Sequence, residues 1–407
     1  MKPVESIDAD VLIVGGGLVG GTLGCLLAGQ GISTVIVDRA KPSDQLDPEY
    51  DGRASAIALG TQRVLSGAGL WDDLQGGCSP IDDIRVSDGD SMMFLHYDHR
   101  DLDIRPFGYM VENRHLRVAL AKRFAALQDL TLMAPGQIES LERTANGIEA
   151  SLDSGQQVCA RLVIGADGRA SQTREDAGID VTKWSYNQSG IVCTVHHERS
   201  HEHIAHERFL PAGPFAILPL KGHRSCIVWT ERKDLAPAMM DLNGEDFAAE
   251  LTRRFGTFLG DIEVTGPRWC YPLSLQFARK VVDDRLVLVG DAAHAMHPIA
   301  GQGLNMGLRD AAAMAEVLCD AHRLGRDLGS GAVLARYERW RRFDNTMMLA
   351  MTDLLNRLFS NDIAPVRTAR DMGLAIVNRI PPLKRFFMRH AMGLVGDLPK
   401  LMRGEPL

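Results

Sequence analysis

The chain has 407 residues, 45% of them hydrophobic, enough for one elaborated domain or for two domains around a substantial core. A formal net charge of −7 excludes a general nucleic-acid binder, and seven scattered cysteines with no Cys-x-x-Cys pair argue against a disulfide framework or a zinc site. No apolar run reaches the ~18 residues that would span a bilayer, and the acidic start (Glu5, Asp8, Asp10) is unlike a signal peptide. A soluble, cytoplasmic protein is expected.

The average charge hides an asymmetry. From Ile363 to Gly404 eight Lys/Arg stand against two acids, a net of +6, whereas the remainder has 37 bases against 50 acids, a net of −13. A basic tail containing Met and Phe can lie on an anionic membrane surface. A helix packed on the protein body with a solvated basic face is the plainer reading of the same residues.

In chain order, Asp10 to Val14 is a short apolar strand-like run, followed by Gly15-Gly16-Gly17-Leu18-Val19-Gly20 and a helix to about Ala28. A second strand, Thr34 to Val37, ends in Asp38. Glycines at this spacing, after a strand and opening a helix, leave backbone N–H groups and the positive end of the helix dipole free for a pyrophosphate. A carboxylate at the end of the next strand can accept the hydroxyls of a ribose. Gly15, Gly17, Gly20 and Asp38 are therefore expected to hold a dinucleotide, and FAD and NAD fit equally. Arg53, in the Asp51–Leu59 run that leads into a helix, is placed to reach a pyrophosphate charge.

Val111 to Leu127 has helical periodicity, with Asn113 as its expected N-cap. Ile138 to Leu162 alternates as strands joined at Asn146-Gly147 and Asp153-Ser154-Gly155, both hairpin signals. The strand Leu162 to Ile164 runs into Gly165-Ala166-Asp167-Gly168, where Gly168 permits a sharp turn and Asp167 is expected to point back to the dinucleotide. Ser189 to Glu231 alternates as strands with few helix signals, a β-rich insert suited to a lid or substrate platform. It holds His196, His197, His201, His203 and His206, but no carboxylate or cysteine completes a ligand set, and no metal is expected.

The run from Arg285 to Gly307 is the second glycine-bearing loop. A buried strand, Leu286 to Val289, is broken by Gly290, then come Asp291, a turn of small residues, Pro298, Gly301, Gly303 and Gly307, with a long helix from about Asn305. Small residues let a flat ligand lie against the backbone, and the helix start offers free N–H groups.

With these residues in view, the sequence resembles the class A flavoprotein monooxygenases, and within them the ubiquinone-biosynthesis hydroxylase family, from Asp10 to about Met402. Three motifs carry the resemblance: Gly15-x-Gly17-x-x-Gly20 with Asp38; Gly165-Ala166-Asp167-Gly168; and Gly290-Asp291-Ala292-Ala293-His294 followed by Pro298 and Gly301-Gln302-Gly303-Leu304-Asn305-Met306-Gly307. Pro211 to Leu220 with Trp229, and the Tyr337 to Arg342 helix, resemble the ubiquinone branch in particular. The implied fold class is α/β: a Rossmann-type FAD-binding domain, glutathione-reductase-like and para-hydroxybenzoate-hydroxylase-like, with an inserted β-rich substrate domain and a helical C-terminal region. The implied division gives 1–73, 105–183 and 268–340 to the FAD-binding domain, 74–104 and 184–267 to the substrate domain, and 341–407 to the C-terminal region.

The resemblance assigns the adenosine ribose to Asp38, the pyrophosphate to Gly15, Gly17 and Gly20, and the pyrophosphate or ribityl side to Arg53, Gly290 and Asp291. Asn113 falls where relatives place a polar flavin contact, and Asp167 would sit between cofactor and nicotinamide donor. Pro298, Gly301, Gly303, Leu304, Asn305 and Met306 would underlie the isoalloxazine ring, with Pro298, Gly303 and Asn305 forming the catalytic environment. No side-chain nucleophile is expected, and His294 and His297 are read as structural rather than as proton shuttles. The implied reaction uses FAD, transient NAD(P)H and O₂ to hydroxylate the ring of a polyprenylated phenol by way of a flavin C4a-hydroperoxide. Other ubiquinone-biosynthesis proteins, or a membrane met peripherally by the C-terminal region, are the implied partners. Two alternatives share the fold: a flavin-dependent isoprenoid-lipid reductase or epoxidase, and a non-catalytic FAD-binding subunit of a biosynthetic complex.

Overall fold

The computed structural model describes the chain except residues 1–5, 48, 90, 92–93, 103–105, 297–300, 360–369, 371 and 374–375, and for 355–357 it describes the backbone alone. Four sheets organise it. The first places Leu286–Leu288, Leu162–Gly165, Val11–Val14, Thr34–Val37 and Leu130–Met133 side by side in parallel, with the short strand Val282–Asp283 antiparallel at one edge. These strands are short and almost wholly apolar because both faces of the sheet are covered. Helices Leu18–Ala28, Asn113–Ala126 and Gln302–Arg323 contribute to the largest core cluster, and the four-stranded sheet built on Ile138–Arg143, Ile148–Leu152 and Gln157–Ala160 contributes to the second.

The β-rich insert is larger than its sequence pattern suggests. Strands Val181–His197 and Ile262–Ala278 each run for 17 residues and pair along most of their length. With Arg224–Arg232, Gly213–Leu220, Ile204–Leu210, Asp83–Asp88, Phe94–Asp98 and the short His294–Ala295 they make one eight-stranded sheet. One face of this sheet carries Ile191, Phe215, Ile217, Ile227 and Trp229 against the helix Gly244–Phe255. The opposite face looks toward the first domain, where Val192, Leu220 and Cys226 cluster with Met110, Met388 and Met392.

Two boundaries differ from expectation. The long helix that follows the second glycine loop opens at Gln302, about one turn before Asn305, because Gly301 adopts the left-handed conformation (φ 62°) and starts it there. Asn113 is the first helical residue rather than the cap, which is Glu112. Its side chain faces inward and is buried, where it ties two segments together instead of satisfying its own helix.

Candidate functional site

Three loops that are distant in sequence meet at the C-terminal ends of the parallel strands. Gly15 bonds back to Val37 (2.8 Å) and Ala166 to Val14 (2.8 Å), which sets the first glycine loop directly on the Asp-Gly loop. A Cβ at Gly15 would stand 2.5 Å from the Ala166 carbonyl oxygen, and Gly15 itself has φ 102°, so only glycine fits. The second glycine loop closes from the other side: a Cβ at Gly307 would lie 2.6 Å from Val19 Cγ2, and one at Gly301 would lie 3.1 Å from Ala56 Cβ. The two glycine-bearing turns therefore border one slot. Gly17 and Gly303, by contrast, have open space where a side chain would be.

One end of the slot is a cleft lined by Gly16, Asp38, Gln45, Arg117, Leu120 and Phe124. Asp38 accepts from the backbone N–H of Gly16 (2.6 Å) and of Ala40 (2.8 Å), which fixes the carboxylate beside the glycine loop. Arg117 is 8% exposed, donates to the Gln45 carbonyl (2.6 Å) and to Asp51 (3.1 Å), and keeps its Nη2 buried with no partner among the described residues. An orphaned guanidinium nitrogen in a cleft costs free energy unless a ligand acceptor meets it.

Asp51 is the hub of this end. Arg53 grips it through Nε (2.8 Å) and Nη2 (3.0 Å), and Asn113 donates to it (3.3 Å). Burial would raise the Asp51 pKa, but the Arg53 and Asn113 bonds outweigh it and bring it down to about 2. Arg53 in turn lies over the Tyr271 ring at 5.2 Å, joining the first domain to the large sheet. Asp291 is exposed at the turn Gly290–Ala292, and its charge reaches Arg53.

Other expected side chains have different tasks. The Asp167 carboxylate accepts from Ser171 Oγ (2.5 Å), Thr173 N (3.0 Å) and Thr173 Oγ1 (3.0 Å), so it pins its own loop to the helix start instead of pointing at the dinucleotide. Only its backbone approaches Gly15. Asn305, 6% exposed, accepts from Ala58 N (2.9 Å) and donates to Ala56 O (2.8 Å) and Gly301 O (3.1 Å), clamping the second loop to strand Ala54–Ala58. With the helix beginning at Gln302, its first-turn N–H groups are those of Gly301 through Leu304, and those of Asn305 and Met306 enter the helix. Pro298 and His297 lie outside the described residues. His197 and His201 are buried, with ring nitrogens 2.6 Å from the Arg199 carbonyl and 2.8 Å from the Leu220 carbonyl.

Beneath the second loop is a charge cluster that motif reading did not find. Asp310, fully buried, receives the Gly290 N–H (3.1 Å), His294 Nε2 (2.5 Å) and Arg341 Nε (2.8 Å). Burial would raise the Asp310 pKa, yet His294 and Arg341 hold it well below the usual carboxylate range. The signal for it was a lone acid just before the apolar run Ala311 to Ala315; for Arg117 it was a cation one helical turn after Asn113.

The fold and this slot define a dinucleotide-binding flavoprotein whose second domain presents a broad sheet to the cofactor. The family model described as "FAD binding domain" matches residues 8–349, and the chain belongs to that family, among the flavin-dependent monooxygenases with the ubiquinone-biosynthesis hydroxylases. It is 58% identical to ubiquinone hydroxylase UbiL of Rhodospirillum rubrum, over 98% of this chain and 94% of that one. It is 36% identical to 3-demethoxyubiquinol 3-hydroxylase of Escherichia coli, over 95% and 98%. Among solved structures, that of the probable FAD-dependent monooxygenase PqsL from Pseudomonas aeruginosa superposes with a TM-score of 0.76 at 25% identity, over 90% of this chain and 99% of that one. The cofactor is FAD.

Two outcomes follow from this geometry. Arg117→Met should weaken FAD binding by about tenfold or more, the worth of one charge-assisted hydrogen bond, read by titrating flavin into the apoprotein. Asp310→Asn removes one of the two carboxylates that hold the buried Arg341, leaving only Asp344, and should cost about 3 kcal/mol in urea unfolding. Because the folded pKa of Asp310 is depressed, its contribution is present above the unfolded value and is lost as pH falls below about 4. The variant should therefore show a shallower loss of stability on acidification.

Proposed function

We propose that this protein hydroxylates the aromatic ring of a polyprenylated phenol in ubiquinone biosynthesis, taking electrons from NAD(P)H and one oxygen atom from O₂. The observation that carries this reading is the meeting of Gly15–Gly20 and Gly301–Gly307 at one slot, with the wide sheet face beside it. FAD supplies the electron transfer and oxygen activation. Gly15, Gly17 and Gly20 would hold its pyrophosphate, Asp38 and Arg117 its adenosine end, and Arg53 and Asp291 the middle, with Gly290 giving the backbone room. The N–H groups of Gly301 to Leu304, at the positive end of a 22-residue helix, would stabilise negative charge developing on the ring. The apolar wall excludes water from the reacting centre. No side chain needs to attack carbon. The domain division expected from the resemblance is adopted on the same basis.

The C-terminal region supports delivery of the substrate from a membrane. Among the described residues no helix is long and apolar enough to cross one. Helix Gly331–Phe359 nevertheless exposes Phe343, Met347, Leu354 and Leu358 along one stripe, and Met372, Ile376, Ile380, Leu383 and Phe386 are exposed beyond it. Phe359 and Val377 share a cluster, so the two stripes adjoin. The basic residues divide: Arg370, Lys384 and Lys400 pair with Asp88, Asp101 and Asp320, whereas Arg379, Arg385 and Arg389 are exposed beside the apolar stripe. Each buried CH₂ of a prenyl chain is worth about 0.8 kcal/mol, so such a substrate stays in lipid until a protein meets it there.

Purified holoprotein given NAD(P)H, a short-chain prenylphenol and ¹⁸O₂ should return one labelled oxygen on the ring. An unlabelled, reduced or epoxidised chain would instead point to the alternative alkene chemistry, and no NAD(P)H oxidation to a non-catalytic subunit. The protein should also co-float with vesicles containing anionic phosphatidylglycerol and not with purely zwitterionic ones, and the double change Phe343→Asp with Phe386→Asp should abolish this while leaving the flavin bound.

A further inference from the structure

Two carboxylates stand side by side on the part of the sheet face that strands Asp83–Asp88 and Ile204–Leu210 present toward the first domain and the C-terminal helices: Asp88, which Arg370 neutralises (2.8 Å), and Glu207. Register places Leu95, Val86, Glu207, Ala216, Val228, Val192 and Trp269 in a single transverse row across the strands. Every other member is apolar. The side chain of Glu207 must share a face with Ala205 and Phe209, its neighbours at two residues' spacing, and those two lie in the clusters that turn toward the first domain and the C-terminal helices. On the opposite face, His206 meets Phe258 and Arg208 binds the Arg254 carbonyl.

The far end of the row abuts the cofactor domain. Trp269 covers Gly52, where a Cβ would stand 1.9 Å from its ring, and Val228 and Trp269 cluster with Ala54 and Ala56. Ala56 in turn touches Gly301, the start of the second glycine loop. Glu207 lies two strands beyond Val228, about 10 Å at the usual strand spacing, a lateral span wider than one aromatic ring.

Glu207 is partly accessible, yet its side chain makes no hydrogen bond or ion pair with any described residue. Desolvation alone acts on it and pushes its pKa up to about 7. A wall that served packing only would be more stable with an apolar residue there, since a polar group removed from water without a partner costs free energy. The partner is therefore to be sought in the ligand.

We propose that Glu207 orients the substrate by hydrogen bonding to its phenolic hydroxyl, so that the aromatic head enters first and one ring edge faces the Gly301–Leu304 loop. As carboxylate it accepts from the hydroxyl; as carboxylic acid it donates to it. The prenyl tail then trails along the apolar path past Phe209, Leu95, Val377 and Phe359 toward the exposed stripes. This inference rests on the hydroxylase reading above and adds to it the group that fixes ring orientation.

The test compares holoenzyme with Glu207→Leu and Glu207→Gln, using NAD(P)H, O₂ and a short-chain prenylphenol, and measures hydroxylated product and peroxide formed per NAD(P)H oxidised, together with the ring position of the new oxygen. Glu207→Leu should retain flavin and unfold at the same or a higher temperature, while product per NAD(P)H falls about tenfold for the one lost hydrogen bond and peroxide rises. Glu207→Gln keeps a hydrogen-bonding group of the same shape and should restore most of the coupling. Full coupling in Glu207→Leu, or a Gln variant no better than Leu, overturns the proposal while the hydroxylase reading stands. Absence of any ring-hydroxylated product from the unaltered enzyme overturns both.

Discussion

The structure depends on one buried carboxylate. Asp310 lies on a buried helix face, where an unpaired charge would be very costly, and four donors from three separate elements offset that cost: the Gly290 N–H, His294, and Arg341 with Asn345. Arg341 is itself fully enclosed and extends the network to Asp344 (2.8 Å) and Asn345 (2.7 Å). The turn that follows the last parallel strand thus takes its shape from a charge behind it. Backbone N–H groups can be pre-set for a ligand only if the loop carrying them does not relax when the ligand leaves, and this arrangement supplies the rigidity without placing a side chain in the slot.

Seen from that centre, the two domains make different kinds of surface. The parallel sheet and its loops offer backbone, small residues and the ends of helix dipoles, suited to a long anionic cofactor. The eight-stranded sheet offers side chains in rows, suited to reading a ring and a hydrocarbon. Contacts such as Arg53 over Tyr271 and Trp269 over Gly52 lock one to the other, so the separation between cofactor loop and substrate wall is set by packed, inflexible groups.

Much of the cofactor half was legible in the sequence because its chemistry is local. A strand, a glycine turn and a helix start lie within a dozen residues, and Asp38 follows at the end of the next strand, so spacing alone places them. What could not be read is what arises across the sheet. Asp51, Arg117 and Asp310 matter through partners tens of residues away, and Asn305 and Asp167, which lie at the loops, turn their side chains to structural bonds that no motif encodes. The extra helical turn before Asn305 was hidden because glycines at positions 301 and 303 look like loop residues, when one of them is a left-handed helix cap.

The insert was the least legible part, for a reason intrinsic to sheets. Side chains alternate faces with a period of two, so a strand sequence gives two sets of residues but not which set meets the cofactor. Glu207 between Ala205 and Phe209 reads as an ordinary polar interruption until register aligns it with apolar residues from six other strands. A strand that only needed to bury its face would carry another branched apolar residue at that position. That a carboxylate stands there without a side-chain partner among the described residues places the demand for it in the ligand rather than in the fold, and on the proposal above it makes the sheet, not the better-marked cofactor loops, the part of this chain that chooses how the substrate lies.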